Sequence, residues 1–279
     1  MSQTPRQDPP FAREDDALAR HREALRERFP LPEPKPRRKL KALGAALLLA
    51  GVVAGLGWTD PAYRQERYSS VVGETRRVAL SDGSHLTLDS NTRVTVSWHL
   101  LSRRVELQAG QALFDVSRAW IRPFLVSADA TEVKVLGTLF SVNSFKDNVR
   151  VTLVRGRVSV HGAADGQRHV ELAPGQQVDA RRGHALPPVA VDVEAAIAWK
   201  DNRLVFEQTS LAEALDVIQR YHAPPIRLDD PSLAKLSISG VFDSTDADGL
   251  LALLPSILPL SLSTDADGTV HVRRKPLKK

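Results

Sequence analysis

Residues 76–88 read RRVALSDGSHLTL. Arg76 to Leu80 and Ser84 to Leu88 alternate apolar and polar side chains, the period-2 text of half-buried strands. Ser81-Asp82-Gly83 between them marks a tight turn, because Asp-Gly accommodates positive φ. The same text runs from Tyr68 to about Val189. Arg93 to Trp98, Arg104 to Leu107, and Ala112 to Ser117 after Ala109-Gly110 all alternate. So do Phe124 to Ser127, Glu132 to Leu136 and Phe140 to Phe145. Val149 to Val154 meets Arg157 to His161 across Arg155-Gly156, and Val170 to Leu172 meets Gln176 to Ala180 across Pro174-Gly175. About ten short strands joined by short turns predict an all-β, sandwich-like body.

Upstream, Ala42 to Trp58 reads ALGAALLLAGVVAGLGW, seventeen residues without a charge. That is the short end of what crosses a hydrocarbon core of about 30 Å. Lys35, Arg37, Arg38, Lys39 and Lys41 precede it, so the positive-inside rule keeps the N-terminus in the cytoplasm and exports everything after Trp58. Gly55-Leu56-Gly57 leaves a cleaved signal peptide as the other reading, but a polar leader of forty-one residues favours a retained anchor. Arg37-Arg38-Lys39-Leu40-Lys41 reads equally as a twin-arginine export signal or as plain positive-inside charge.

Before the span, Glu14 to Phe29 is expected as a helix with Leu18, Leu25 and Phe29 along one side. Pro30, Pro32, Pro34 and Pro36 then make an extended spacer. A lone amphipathic helix of this length is marginal in water, so it docks on a partner or stays largely unfolded.

After Pro187-Pro188 the periodicity changes. Arg203 to Phe206 is a strand, and Ser210-Leu211-Ala212-Glu213 is a capping box. Leu211, Ala214, Leu215, Ile218 and Tyr221 form one helical stripe ended by Pro224-Pro225, read as core. Ile226 to Leu228 and Leu236 to Phe242 are strands. A second capped helix runs from about Asp246 to Leu254 and is stopped by Pro255. Leu260 to Ser263 and Thr269 to Arg273 close as a hairpin on Asp267-Gly268, giving the order β-α-β-β-α-β-β.

The net charge of +5 points weakly to nucleic acid. Residues 1–41 hold eleven Lys/Arg against seven Asp/Glu, and five more cations lie between Arg273 and Lys279. No folded region is strongly basic, and nucleic-acid binding is not expected. The sequence has no cysteine, so neither disulfides nor thiol chemistry are open to it. No G-x-S-x-G, H-E-x-x-H, P-loop or G-x-G-x-x-G occurs, and none of the eight histidines stands at i,i+4. No enzyme activity, cofactor or metal is expected.

In the β region, Gly73-Glu74, Val78-x-Leu80-x-Asp82-Gly83-Ser84 and Leu86-x-Leu88 are followed by Arg104-Val105-x-Leu107, Gly110-x-Ala112-x-Phe114-x-Val116 and Arg122-Pro123-Phe124-x-Val126. Then come Val135-Leu136-Gly137-Thr138-x-Phe140-x-Val142, Val149-x-Val151-x-Leu153-Val154-x-Gly156-x-Val158 and Leu172-x-Pro174-Gly175. In this order the fragments closely resemble the periplasmic domain of the FecR family of sigma-factor regulators. The C-terminal order resembles the small secretin/TonB short (STN-like) domain that closes such proteins. The resemblance divides the chain into a cytoplasmic segment (1–41), a transmembrane helix (42–58), a FecR-like all-β periplasmic domain (59–190) and an STN-like α+β domain (191–279). It implies a single-pass inner-membrane anti-sigma factor that relays the state of a TonB-dependent outer-membrane receptor to an extracytoplasmic-function sigma factor, in control of iron–siderophore uptake.

The family carries a longer cytoplasmic domain, so the resemblance leaves the sigma-binding half open. Leu18, Leu25 and Phe29 are the expected contact; the alternative is a membrane-tethered structural or binding protein without a sigma-factor partner. Family members also cleave themselves at the matching Gly-Thr bond. Here a Thr138 hydroxyl attacking the Gly137 carbonyl would convert amide to ester, which water opens; the other reading of Gly137-Thr138 is a turn.

Overall fold

Apolar side chains at every second position zip into sheets because only one face of each strand must leave water. In a computed structural model describing residues 12–29, 38–145 and 148–275, this produces fourteen strands between Ala62 and Ala190. They are β1 (Ala62–Ser69), β2 (Arg76–Ala79), β3 (His85–Leu88), β4 (Arg93–His99), β5 (Arg103–Asp115), β6 (Phe124–Ala128) and β7 (Thr131–Val135). There follow β8 (Leu139–Phe145), β9 (Asn148–Arg155), β10 (Val158–Gly162), β11 (Val170–Leu172), β12 (Gln176–Arg181), β13 (His184–Ala185) and β14 (Val189–Ala190).

The strand that organises the body is β5. Its first half pairs antiparallel with β4 and parallel with β6. Its second half pairs with β3 and β8. The expected break at Ala109-Gly110 is therefore a bend within one strand rather than a turn between two. Gly110 adopts φ +91°, and a Cβ there would lie 2.3 Å from Thr92 Oγ1, so the bend needs glycine. One face joins β1, β4, β6, β7, β10 and β11 to β5, and the other joins β2, β3, β8, β9, β12, β13 and β14. Leu86, Val96, Phe114, Phe124, Phe140 and Val151 meet in a single core, with Phe114 and Phe140 stacked at 5.1 Å. Strand β1 is the element that alternation did not reveal. Its pattern AYRQERYS is mostly exposed, so burial writes almost no period into it.

Residues 191–275 form α3 (Val193–Ala196), β15 (Arg203–Ser210), α4 (Leu211–Ile218), β16 (Ile226–Leu228), β17 (Ser237–Asp243), α5 (Ala247–Ile257), β18 (Leu260–Thr264) and β19 (Val270–Arg274). Two small sheets result, β15–β17 and β16–β19–β18. The Ser210 hydroxyl accepts from Glu213 N–H, as the capping box requires. Pro255 does not stop α5, which runs on to Ile257: proline near the end of a helix sacrifices a single hydrogen bond, and Leu258 N–H still reaches Leu254 O at 2.9 Å.

The N-terminal residues form a separate unit ending at Gly55. Helix α1 covers Ala12–Arg28 and α2 covers Arg38–Thr59. The proline spacer and Arg37 lie outside the described residues. Among the described residues no helix is long and apolar enough to cross a membrane. Within α2, Leu47, Leu48, Leu49, Val52 and Val53 are all exposed.

Candidate functional site

Three places are candidates for chemistry or contact. The first is α1, where Leu18, Leu25 and Phe29 are all exposed and recur at helical spacing along one side. Phe29 N–H donates to Leu25 O at 3.0 Å, continuing the turn past the end of the helix.

The second is the link between β7 and β8. Thr138 is buried, its hydroxyl donates to the Arg157 carbonyl at 3.0 Å, and its own carbonyl accepts from Val116 N–H at 3.0 Å. Gly137 has no room for a side chain, since a Cβ would lie 2.8 Å from the Arg118 Cα. Gly156, at φ +102°, closes the other side, where a Cβ would come within 2.9 Å of Thr138 Oγ1. The Gly137–Thr138 bond is thus clamped between the chain after β5 and the β9–β10 turn. It borders a groove of about 740 Å³ with Trp120, His161 and His169 in its walls.

The third was invisible in the sequence and joins the β body to the C-terminal residues. Asp89, just after β3, is fully buried. Its carboxylate accepts from the Tyr221 hydroxyl at 2.8 and 2.9 Å and from the Ser90 amide at 2.8 Å. Burial pushes its pKa up to about 6 against the opposing pull of Tyr221, Ser90 and the Arg220 charge. Burial, the Asp89 charge and its hydrogen bond raise the Tyr221 phenol in turn, so this hydroxyl stays a donor. Arg220 reaches Gln111 Oε1 at 2.8 Å, lies 5.0 Å over the Phe145 ring, and accepts on its carbonyl from Ser90 Oγ. Arg150 of β9 adds an ion pair to Glu213 of α4 at 3.1 Å. Leu113, Leu139 and Val154 turn outward from the body and pack into the C-terminal core. Tyr221, read as the last member of a helical stripe, lies beyond the end of α4 at Ile218 and spends its hydroxyl on the β body.

Residues 66–159 match the family described as FecR protein. The chain carries a FecR domain. That match includes Asp89, Gly137 and Thr138 and ends within β10, before the C-terminal elements. Two crystal structures of a candidate anti-sigma factor from Parabacteroides distasonis, at 2.50 and 1.65 Å, each align with a TM-score of 0.67 at 23% identity. Each alignment covers 76% of this chain and 100% of the other, so the shared fold extends well past the FecR match. No curated protein matches the chain. Among the described residues, no three metal-ligating side chains stand together.

Proposed function

We propose that the protein is an anti-sigma regulator anchored in the inner membrane, with α1 in the cytoplasm and its FecR domain in the periplasm. It acts by binding, not by catalysis. The observation that carries the reading is the exposed side of α1, where Leu18, Leu25 and Phe29 are apolar and aligned, in a chain whose FecR domain shares its fold with a candidate anti-sigma factor. The seventeen uncharged residues 42–58, preceded by cations, support the anchor. Receipt of a signal from a TonB-dependent receptor, in iron–siderophore uptake, by an STN-like C-terminal domain completes the reading; the β-α-β-β-α-β-β order there supports it.

Burying such side chains against a sigma factor is worth about 1.5–3 kcal/mol each, less the ordering cost of the helix. The full chain in detergent should retain the extracytoplasmic-function sigma factor encoded beside it. Leu25→Asp with Phe29→Asp should nearly abolish retention, because each buries an unpaired charge. Equal retention by both would remove this face as the contact. Retention by neither would favour a tethered protein without a sigma-factor partner.

A further inference from the structure

One end of the β body concentrates exposed apolar side chains. Trp58 is 92% and Ile121 86% exposed, and Tyr63, Leu100, Leu101 and Trp120 are each about half exposed or more. The pairing of strands brings them together. Ala62 opens β1 opposite His99, the last residue of β4, and Arg103 opens β5 beside Phe124, the first of β6. The Leu100–Leu101 turn and the Trp120–Ile121 loop therefore project from the same edge.

That edge is fixed to the last turn of α2, Leu56–Thr59. Asp60, buried at the junction, takes the Leu101 amide at 2.7 Å and the Ser102 hydroxyl at 2.5 Å, and its own amide donates to Leu56 O at 3.0 Å. A Cβ on Gly57 would lie 3.9 Å from Leu101 Cδ1. The turn thus cannot swing away from the helix end without breaking these bonds.

The rim is cationic. Arg104 is half exposed, and Arg122 spends its guanidinium on the carbonyls of His99 and Ser102 and on the Tyr63 hydroxyl. The nearby carboxylates are engaged, Asp60 by Arg104 and Glu66 by Arg64. Apolar tips with Trp and Tyr, ringed by arginine and continuous with an uncharged helix, match the chemistry of a bilayer's headgroup layer.

We propose that this end of the β body sits on the periplasmic leaflet, with Trp58, Leu100 and Leu101 among the headgroups and the half-exposed Arg104 facing lipid phosphates. The proposal rests on the anchor read for residues 42–58. Asp60 holds the Leu100–Leu101 turn to Leu56–Thr59, the residues that leave the bilayer.

The absence of cysteine allows a single probe to be placed at will. Full-length chains carrying Leu100→Cys or Gln167→Cys, the latter in the loop after β10 at the far end, are labelled with an environment-sensitive fluorophore. They are then reconstituted in phosphatidylcholine/phosphatidylglycerol vesicles containing headgroup-level spin-labelled lipid. The probe at position 100 should be quenched several-fold more than that at 167. Leu101→Asp should remove most of the difference without changing the thermal unfolding of the β body. Co-flotation with the vesicles, measured in parallel, tests the anchor. Failure to float would overturn the anchor and this contact together. Flotation with position 100 as unquenched as 167 would overturn the contact alone. A position-100 probe shielded from water but not quenched would mean that protein covers the patch, and would also overturn it.

Discussion

Asp82 and Asp89 flank the same strand, β3, seven residues apart, and the protein treats them in opposite ways. Asp82 sits in the turn before β3 and pairs with the buried Arg103. That guanidinium also holds the carbonyls of Ser117 and Arg122 and lies 5.2 Å over Phe124. Burial pushes the Asp82 pKa up, but the Ser84 amide, Arg103 and the Ser84 hydroxyl together outweigh it and hold the carboxyl below its usual range. Asp89, after β3, has Tyr221, one amide and the Arg220 charge to oppose its burial, and burial wins. A dedicated arginine makes a permanent pin within the β body. A phenol makes a junction to the C-terminal elements that titrates near neutrality.

The contrast breaks most completely at Asp82. Asp82→Ala leaves the buried Arg103 guanidinium without its carboxylate and should cost about 3–5 kcal/mol, read as a lowered urea midpoint. A loss under about 1 kcal/mol would mean that the pair is no pin.

The sign of the Asp89 effect follows from its raised pKa. Between the ordinary value of 3.8 and about 6 the folded chain holds a proton that the unfolded chain has lost. The stabilisation is fully present below 3.8 and is lost as pH rises through 6, at most about 3 kcal/mol. Asp82 has the opposite sign, its contribution fading as pH falls through its depressed pKa. Asp89→Asn should therefore flatten stability between pH 4 and 7 relative to wild type. Parallel curves for the two proteins would remove Asp89 from the balance.

The smallest effect is expected at Thr138, in the firmly paired body. Thr138→Ala removes one hydrogen bond to Arg157 O, worth about 1 kcal/mol. It should also abolish any fragments ending at Gly137 and beginning at Thr138, whereas Thr138→Ser should retain cleavage. Mass spectrometry after long incubation separates the outcomes, and an intact wild-type chain would reduce the site to a clamped turn.

Much of this architecture is legible in the residues alone. The Asp82-Gly83 turn, the Ser210 cap and the apolar alternation of β3, β4 and β9 are local statements, because turn φ, orphan amides and facing are settled by neighbours in sequence. Alternation fails for β1, whose faces are mostly wet, and at Ala109-Gly110, where one glycine reads as a turn or as a bend. The Arg155-Gly156 and Pro174-Gly175 turns do not close hairpins either, since β9 pairs with β8 and β12 while β10 pairs with β7 and β11. The exposed apolar side of α1, with Leu18, Leu25 and Phe29, was legible as periodicity. The placement of Trp120 and Ile121 beside Leu100 was not, since it requires β6 to lie parallel to β5.

What the sequence by itself determined is the strand text, the uncharged span, the helix caps and the resemblance to a FecR domain. Only the tertiary structure decided which buried charges are paired. Asp89 and Tyr221 are 132 residues apart, and nothing near either announces the other. Their meeting is set by the outward packing of Leu113, Leu139 and Val154. A carboxylate's environment depends on what folds over it, and that is a property of the closed chain, not of its neighbours in sequence.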